Sequence, residues 1–165
     1  MNYWVTTQWP HSIEDDKGQE HSGVYVPNDR QAAVDKMNCG DIVFIYESQS
    51  GRVIVENLED GSRKETPCHI GRMEILDIVE VVAIHKRKDL KTTQYTNGTS
   101  IWWQFHAETK SVYKGGRVSR NKLNDILGYN RNYNLRGFGD QHSGIKKITK
   151  EQALALTDEY NSNKK

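Results

Sequence analysis

The chain is poor in the residues that staple, break or anchor a fold: two cysteines, three prolines and three phenylalanines in 165 residues. No apolar run approaches the roughly 20 residues of a membrane span, and the opening residues lack a basic segment followed by a hydrophobic one. Cys39 and Cys68 are distant in sequence and have no Cys or His neighbours at zinc spacing, so neither a disulfide framework nor a zinc site is expected. These absences describe a soluble, unexported, cytoplasmic protein. With no repeat and no Ser/Gly linker, nothing marks a boundary between domains. One domain is expected over residues 1–160, long enough to bury about two-thirds of its unfolded surface, followed by a frayed tail, "NSNKK", at 161–165.

The usual signatures of catalysis are missing too. There is no P-loop, no Gly-x-Gly-x-x-Gly after a strand, no Gly-x-Ser-x-Gly elbow and no His-Glu-x-x-His. The six histidines, His11, His21, His69, His85, His106 and His142, make no pair at helical ligand spacing, and Glu14, Asp15 and Asp16 read as a solvated cluster. No catalytic residue, metal ligand or cofactor is assigned; the expectation is a binding module.

What is present is a split of charge. The net charge of +1 conceals 7 Lys and Arg against 15 Asp and Glu in residues 1–85, and 13 against 4 in residues 86–147. A basic half inside a neutral total is an electrostatic footprint for nucleic acid. The supply of phosphate contacts is Lys86, Arg87, Lys88 and Lys91, in "HKRKDLK", with Arg117, Arg120, Lys122, Arg131 and Arg136.

Runs rich in β-branched and aromatic residues predict strands at 3–7, 41–46, 53–57, 75–84 and 101–106. Helices are predicted in "NDRQAAVDKM" after Pro27, in "SRNKLNDILG" between a Ser119 cap and a Gly128 stop, and after the Thr149/Gln152 capping box. This mixture is an α+β domain without a repeating βαβ wind. Aromatic residues gather near strand ends: Trp9 after the first strand, Tyr25 before a helix, Tyr46 closing the apolar run "DIVFIY", Tyr95 in a polar loop, and Trp102 beside Trp103. Successive strand residues face opposite ways, so on a one-sided sheet only one of Trp102 and Trp103 belongs to the core. Rings at strand ends beside a lysine-rich segment are the parts of a base-stacking platform.

In order and spacing, "NYWVTTQWP" (2–10), "GVYVPNDRQAAVDKMNCGDIVFIYES" (23–48), "DIVEVVAI" (77–84), "IWWQFHAE" (101–108) and "SGIKKITKEQALAL" (143–156) resemble the EVE domain of the PUA-like superfamily, a relative of the YTH and ASCH domains. The resemblance spans nearly the whole chain. It implies a pseudo-β-barrel surrounded by short helices, and a non-catalytic reader that takes a modified base, methylated or hydroxymethylated cytosine or N6-methyladenine, into an aromatic cage. It further implies DNA in preference to RNA, and a place as specificity module of a modification-dependent restriction system whose nuclease is another chain or a fused domain. Carried over by position, Trp9, Tyr25 and Tyr46 line the pocket and Ser48 bonds the base edge, with Tyr95, Trp102 and Trp103 as the other aromatic candidates. The chain departs from the family pattern at Tyr46-Glu47-Ser48, where Tyr-His-Ser is frequent, and in a longer segment 49–73, in which "NLEDGSRKETPCH" (57–69) reads as an inserted hairpin or loop. Two other readings fit the same residues: an RNA-binding domain of YTH or ASCH type, and a base-modifying amidohydrolase.

Overall fold

A computed structural model describes residues 1–8, 24–27, 36–48, 53–57, 59–67, 72–94, 100–135, 138 and 144–164; residues 8, 24–27, 53–57, 63–67, 85–94 and 100–106 are placed by their backbone. The predicted helix over 28–37 falls mostly outside them, as do Trp9, Tyr95 and Arg136.

The architecture is α+β. Nine strands are described: β1 (Tyr3–Gln8), β2 (Val24–Pro27), β3 (Ile42–Glu47), β4 (Val53–Asn57), β5 (Arg63–Pro67), β6 (Glu74–Gln94), β7 (Ser100–Tyr113), β8 (Val118–Ser119) and β9 (Ile145–Ile148). Two helices are described with them, α1 (Arg120–Leu127) and α2 (Lys150–Ser162). The main sheet runs β2-β7-β6-β3-β1-β9, with β8 beside the first residues of β6. Its pairs are antiparallel except β1 with β3, which is parallel. The segment expected as an insertion forms a separate two-stranded hairpin, β4–β5. Its turn is closed by Asp60, which accepts from the Ser62 backbone N–H and hydroxyl.

β3 shows why the sequence has a continuous apolar run there: it is buried on both faces. Phe44 and Tyr46 join a core with Leu123, Leu156 and Tyr160 of the helices, while Val43 and Ile45 join a second core with Trp4, Met37 and Val79. Each large aliphatic side chain enclosed this way contributes about 2 kcal/mol of burial free energy. β1 divides its residues the same way, Val5 to the first core and Trp4 to the second.

The turn into β3 is locked by a residue that sequence reasoning passed over. Asp41 is buried, and its carboxylate accepts the backbone N–H of Asn2 (2.9 Å) and of Asn38 (2.9 Å) and the indole N–H of Trp4 (3.1 Å). Before it, Gly40 has φ of 91°, a conformation that costs an L side chain and not glycine. One carboxylate thus ties the start of β1 to the turn entering β3.

Both helices begin, and α1 ends, as the sequence predicts. Ser119 accepts the Lys122 N–H, Gly128 closes α1 in the left-handed conformation, and Thr149 and Gln152 exchange both bonds of a capping box. The expected frayed tail is corrected, because α2 continues through Ser162. Asn163 donates to the carbonyls of Arg117 (3.2 Å) and Glu159 (2.9 Å), which holds the end of the helix to the sheet. Tyr160, buried, donates toward the Leu76 and Tyr113 carbonyls. Gly116 lies so close that a Cβ there would overlap the Tyr160 carbonyl oxygen and sit 2.5 Å from its ring.

Candidate nucleic-acid interface

β6 is the element on which the expected site is built, and it is much longer than predicted: 21 residues, continuing ten beyond Ile84 through the whole basic run. β7 follows it with 14 residues, so polar sequence that reads as loop is held in a ladder by its partner strand. The register assembles three-strand rows. Tyr25 stands opposite His106, itself opposite His85; Pro27 stands opposite Trp103, itself opposite Lys91; Thr92 pairs with Trp102. Tyr25, Trp102, Trp103, Lys86 and Lys91 are therefore brought to one end of the sheet by backbone pairing. Between Lys86 and Lys91 the register shifts, so that Arg87 and Lys88 belong to a bulge of four residues against Gln104 alone.

The remaining expected residues are at the other end of β6. Tyr46 and Glu47 pair with Ile75 and Glu74, eleven positions before Lys86 along the strand. The single cage joining Tyr46 and Ser48 to Tyr25, Trp102 and Trp103 is corrected by this register: the two groups occupy opposite ends of one strand. Tyr46 is corrected further. Its ring is 1% exposed and belongs to the core beneath the helices, so it offers no face to a ligand. Burial pushes its phenol up to about 12, against the pull of Arg120 and with a smaller push from Glu74, so the group stays neutral at physiological pH. Ser48, half-buried at the exit of β3, already has a partner.

The basic residues divide in the same way. Arg117 and Lys122 are exposed and Arg120 is half-buried, all around β8 and the start of α1, at the Tyr46 end. Arg131 is exposed, and its guanidinium lies 3.3 Å from the Asp125 carboxylate, which offsets its charge. Arg87, Lys88, Lys86 and Lys91 make up the other group, on β6 beyond Ile84. Two basic patches therefore replace one.

An aromatic cluster was not foreseen. Tyr129 and Tyr133 stack with centroids 5.1 Å apart and 18° between planes, Phe138 meets Tyr129 edge-on at 6.2 Å, and Lys146 Nζ donates to the Tyr129 hydroxyl at 2.7 Å. Burial raises the Tyr133 phenol, Tyr129 adds to the rise, and Lys146 opposes it. Buried Asn124 holds this loop by donating to the carbonyls of Arg131 and Tyr133. The signal in sequence was three aromatic residues, Tyr129, Tyr133 and Phe138, close together after the Gly128 stop, where no helix is expected. Among the described residues no three His, Cys, Asp or Glu side chains are grouped to hold a metal ion, and no helix is long and apolar enough to cross a membrane.

No family model and no curated protein matches the chain. Several solved structures are similar to it, among them the following two. The crystal structure of protein Atu2648 from Agrobacterium tumefaciens is 18% identical, with 96% of this chain and 92% of that one covered and a TM-score of 0.48. The NMR structure of Rpa0253 from Rhodopseudomonas palustris is 16% identical, with 98% and 94% covered and a TM-score of 0.47.

Proposed function

We propose that the protein is a non-catalytic reader of a modified nucleobase, acting on DNA in preference to RNA, in a pseudo-barrel of the PUA-like, EVE type. The observation that carries the reading is the register of β2, β7 and β6, which gathers Tyr25, Trp102 and Trp103 with the basic run 86–91 at one end of the sheet. Aromatic positions next to cationic ones are what a base taken out of its stack requires. Rings take its faces at about 1 to 3 kcal/mol per base, and phosphate contacts offset the few kcal/mol of unstacking. The resemblance over nearly the whole chain points to the same ligand. In this reading Tyr46 supports the sheet from the core, and the cage is drawn from the Tyr25, Trp102 and Trp103 group with Trp9 and Tyr95. A restriction nuclease on another chain or a fused domain completes the system.

The test is a binding titration at two salt concentrations with short DNA and RNA oligonucleotides carrying methylcytosine, hydroxymethylcytosine or N6-methyladenine beside unmodified controls. A preference of tenfold or more for one modified DNA is the expected result. Equal, salt-sensitive binding to all DNA would reduce the protein to a general binder, preference for single-stranded RNA would favour the RNA-binding reading, and no binding would reject both.

A further inference from the structure

We propose that Lys146 and Tyr129 form a site for a phosphate group; that this phosphate belongs to a nucleic-acid backbone rests on the reading of the protein as a DNA binder. The first observation is a cation without a counter-ion. Lys146 stands opposite Val5 in the β1–β9 ladder, and directly paired residues share a face of the sheet, so its side chain is on the face where Val5 joins the first core. There it is half-buried, with its ammonium 2.7 Å from the Tyr129 hydroxyl and 5.0 Å from the centre of the same ring. Among the described residues no carboxylate stands within ion-pair distance of it: Glu80 pairs with Lys110 at 3.1 Å, and Asp125 with Arg131 at 3.3 Å. A cation drawn partly out of water in this way favours an anion beside it.

The second observation is where the protons are. The ammonium donates to the Tyr129 oxygen, so the phenol keeps its own proton to give, and no described residue accepts it. The remaining N–H groups of Lys146 and the O–H of Tyr129 are therefore neighbouring donors. A charge-assisted donor beside a neutral one suits adjoining oxygens of one phosphate. Both donors are also held before any ligand arrives. Lys146 is fixed by the ladder with β1, and Gly144, two residues before it, by backbone bonds with Thr7 and Phe138. Tyr129 is fixed from the other side. Its backbone N–H donates to the Asn124 carbonyl at 2.8 Å, its ring stacks on Tyr133, and the buried Asn124 amide donates to the Arg131 and Tyr133 carbonyls. In the same loop buried Leu135 has φ of 62°, a conformation that leucine keeps only where its surroundings impose it. A site built this way loses little ordering entropy when it binds.

The experiment is a lysine footprint: acetylation of the full chain, read residue by residue by mass spectrometry, with short DNA oligonucleotides, with sodium phosphate and with sodium acetate, the two salts at equal ionic strength. With DNA and with phosphate, Lys146 is expected to react at least about fivefold more slowly, because its ammonium is engaged in a charge-assisted bond, and with acetate its rate is expected to stay unchanged. The footprint is read on the parent chain, so a folding defect in a variant does not decide it. Lys146→Met is expected to lower the salt slope of DNA binding by about 1, equally for modified and plain DNA, and Lys146→Arg to keep the slope of the parent. Tyr129→Phe retains the stacked ring and the charge, and is expected to weaken binding about tenfold with the slope unchanged. Protection by phosphate and not by DNA would keep the site and overturn its nucleic-acid source. Equal protection by acetate would overturn the choice of phosphate. DNA binding with Lys146 unprotected, or with the slope unchanged in Lys146→Met, would overturn the site and leave the reader standing, whereas no binding to any nucleic acid and no protection by phosphate would overturn both.

Discussion

The two ends of β6 belong to the same strand and have opposite surroundings. At the Glu74 end the strand has β3 on one edge and β8 on the other, with helices packed over one face, and its aromatic neighbours Tyr46 and Tyr160 are enclosed. At the Gln94 end, among the described residues, it is paired with β7 alone beyond the last rung of β2, and its residues are mostly Lys, Arg, Thr and Gln. Aromatic content and strand position therefore do not by themselves mark a core ring; the neighbours on both edges and both faces do.

The comparison breaks most readily at the Glu74 end. Gly116→Ala forces a methyl group into the Tyr160 backbone and ring, and is expected to cost about 3 kcal/mol or more, measured by denaturant unfolding. Midway along β6, where Asp41 faces Val81, Asp41→Ala strands three N–H donors, one of them the buried Trp4 indole, and should lower stability by about 2 to 3 kcal/mol, with a shift in tryptophan emission. Tyr46 has a signature in alkali. Between pH 10 and about 12 its phenol ionises in the unfolded chain while the folded chain keeps the proton, so stability falls as pH rises through that window. Tyr46→Phe removes this loss and is expected to retain up to about 2 kcal/mol more than the parent at pH 12, in urea titrations across the window. At the Gln94 end the expectation is the reverse: K86Q/R87Q/K88Q should change unfolding by less than about 0.5 kcal/mol while weakening DNA binding. A large stability loss there would mean that the basic run is structural, and the contrast between the two ends would fail.

Much of this was legible from sequence because it depends on local chemistry. The Ser119 and Thr149 caps, the Gly128 stop and the strands at 3–8, 42–47 and 53–57 are specified by neighbouring residues, and the structure has them. What escaped depends on partners. β9, "IKKI", and β5, "RKETP", have too few apolar residues to announce a strand and are held by β1 and by the β4 hairpin. The ends of β6 and β7 escaped for the same reason. Val82 lies within an apolar run yet is 46% exposed, because the bulge between Val81 and Ala83 turns it out of the core. Tyr46 was misjudged because a strand buried on both faces has no polar alternation to say which side its last ring occupies. Asp41 reads in sequence as the first residue of the 41–46 strand, and its three donors come from segments that only the fold brings together.

The pairing of β1 also bears on how the chain reaches this state. β1 lies between β3 and β9, and Thr7 bonds to the Gly144 carbonyl 137 residues later in sequence. During synthesis the first strand can take β3 as soon as that segment emerges, but its second edge waits for residues 145–148. Contacts of such long sequence separation place folding at the slow end for a domain of this size. Until β9 arrives, the nascent chain carries an unpaired strand edge, open to pairing with the wrong strand or another chain.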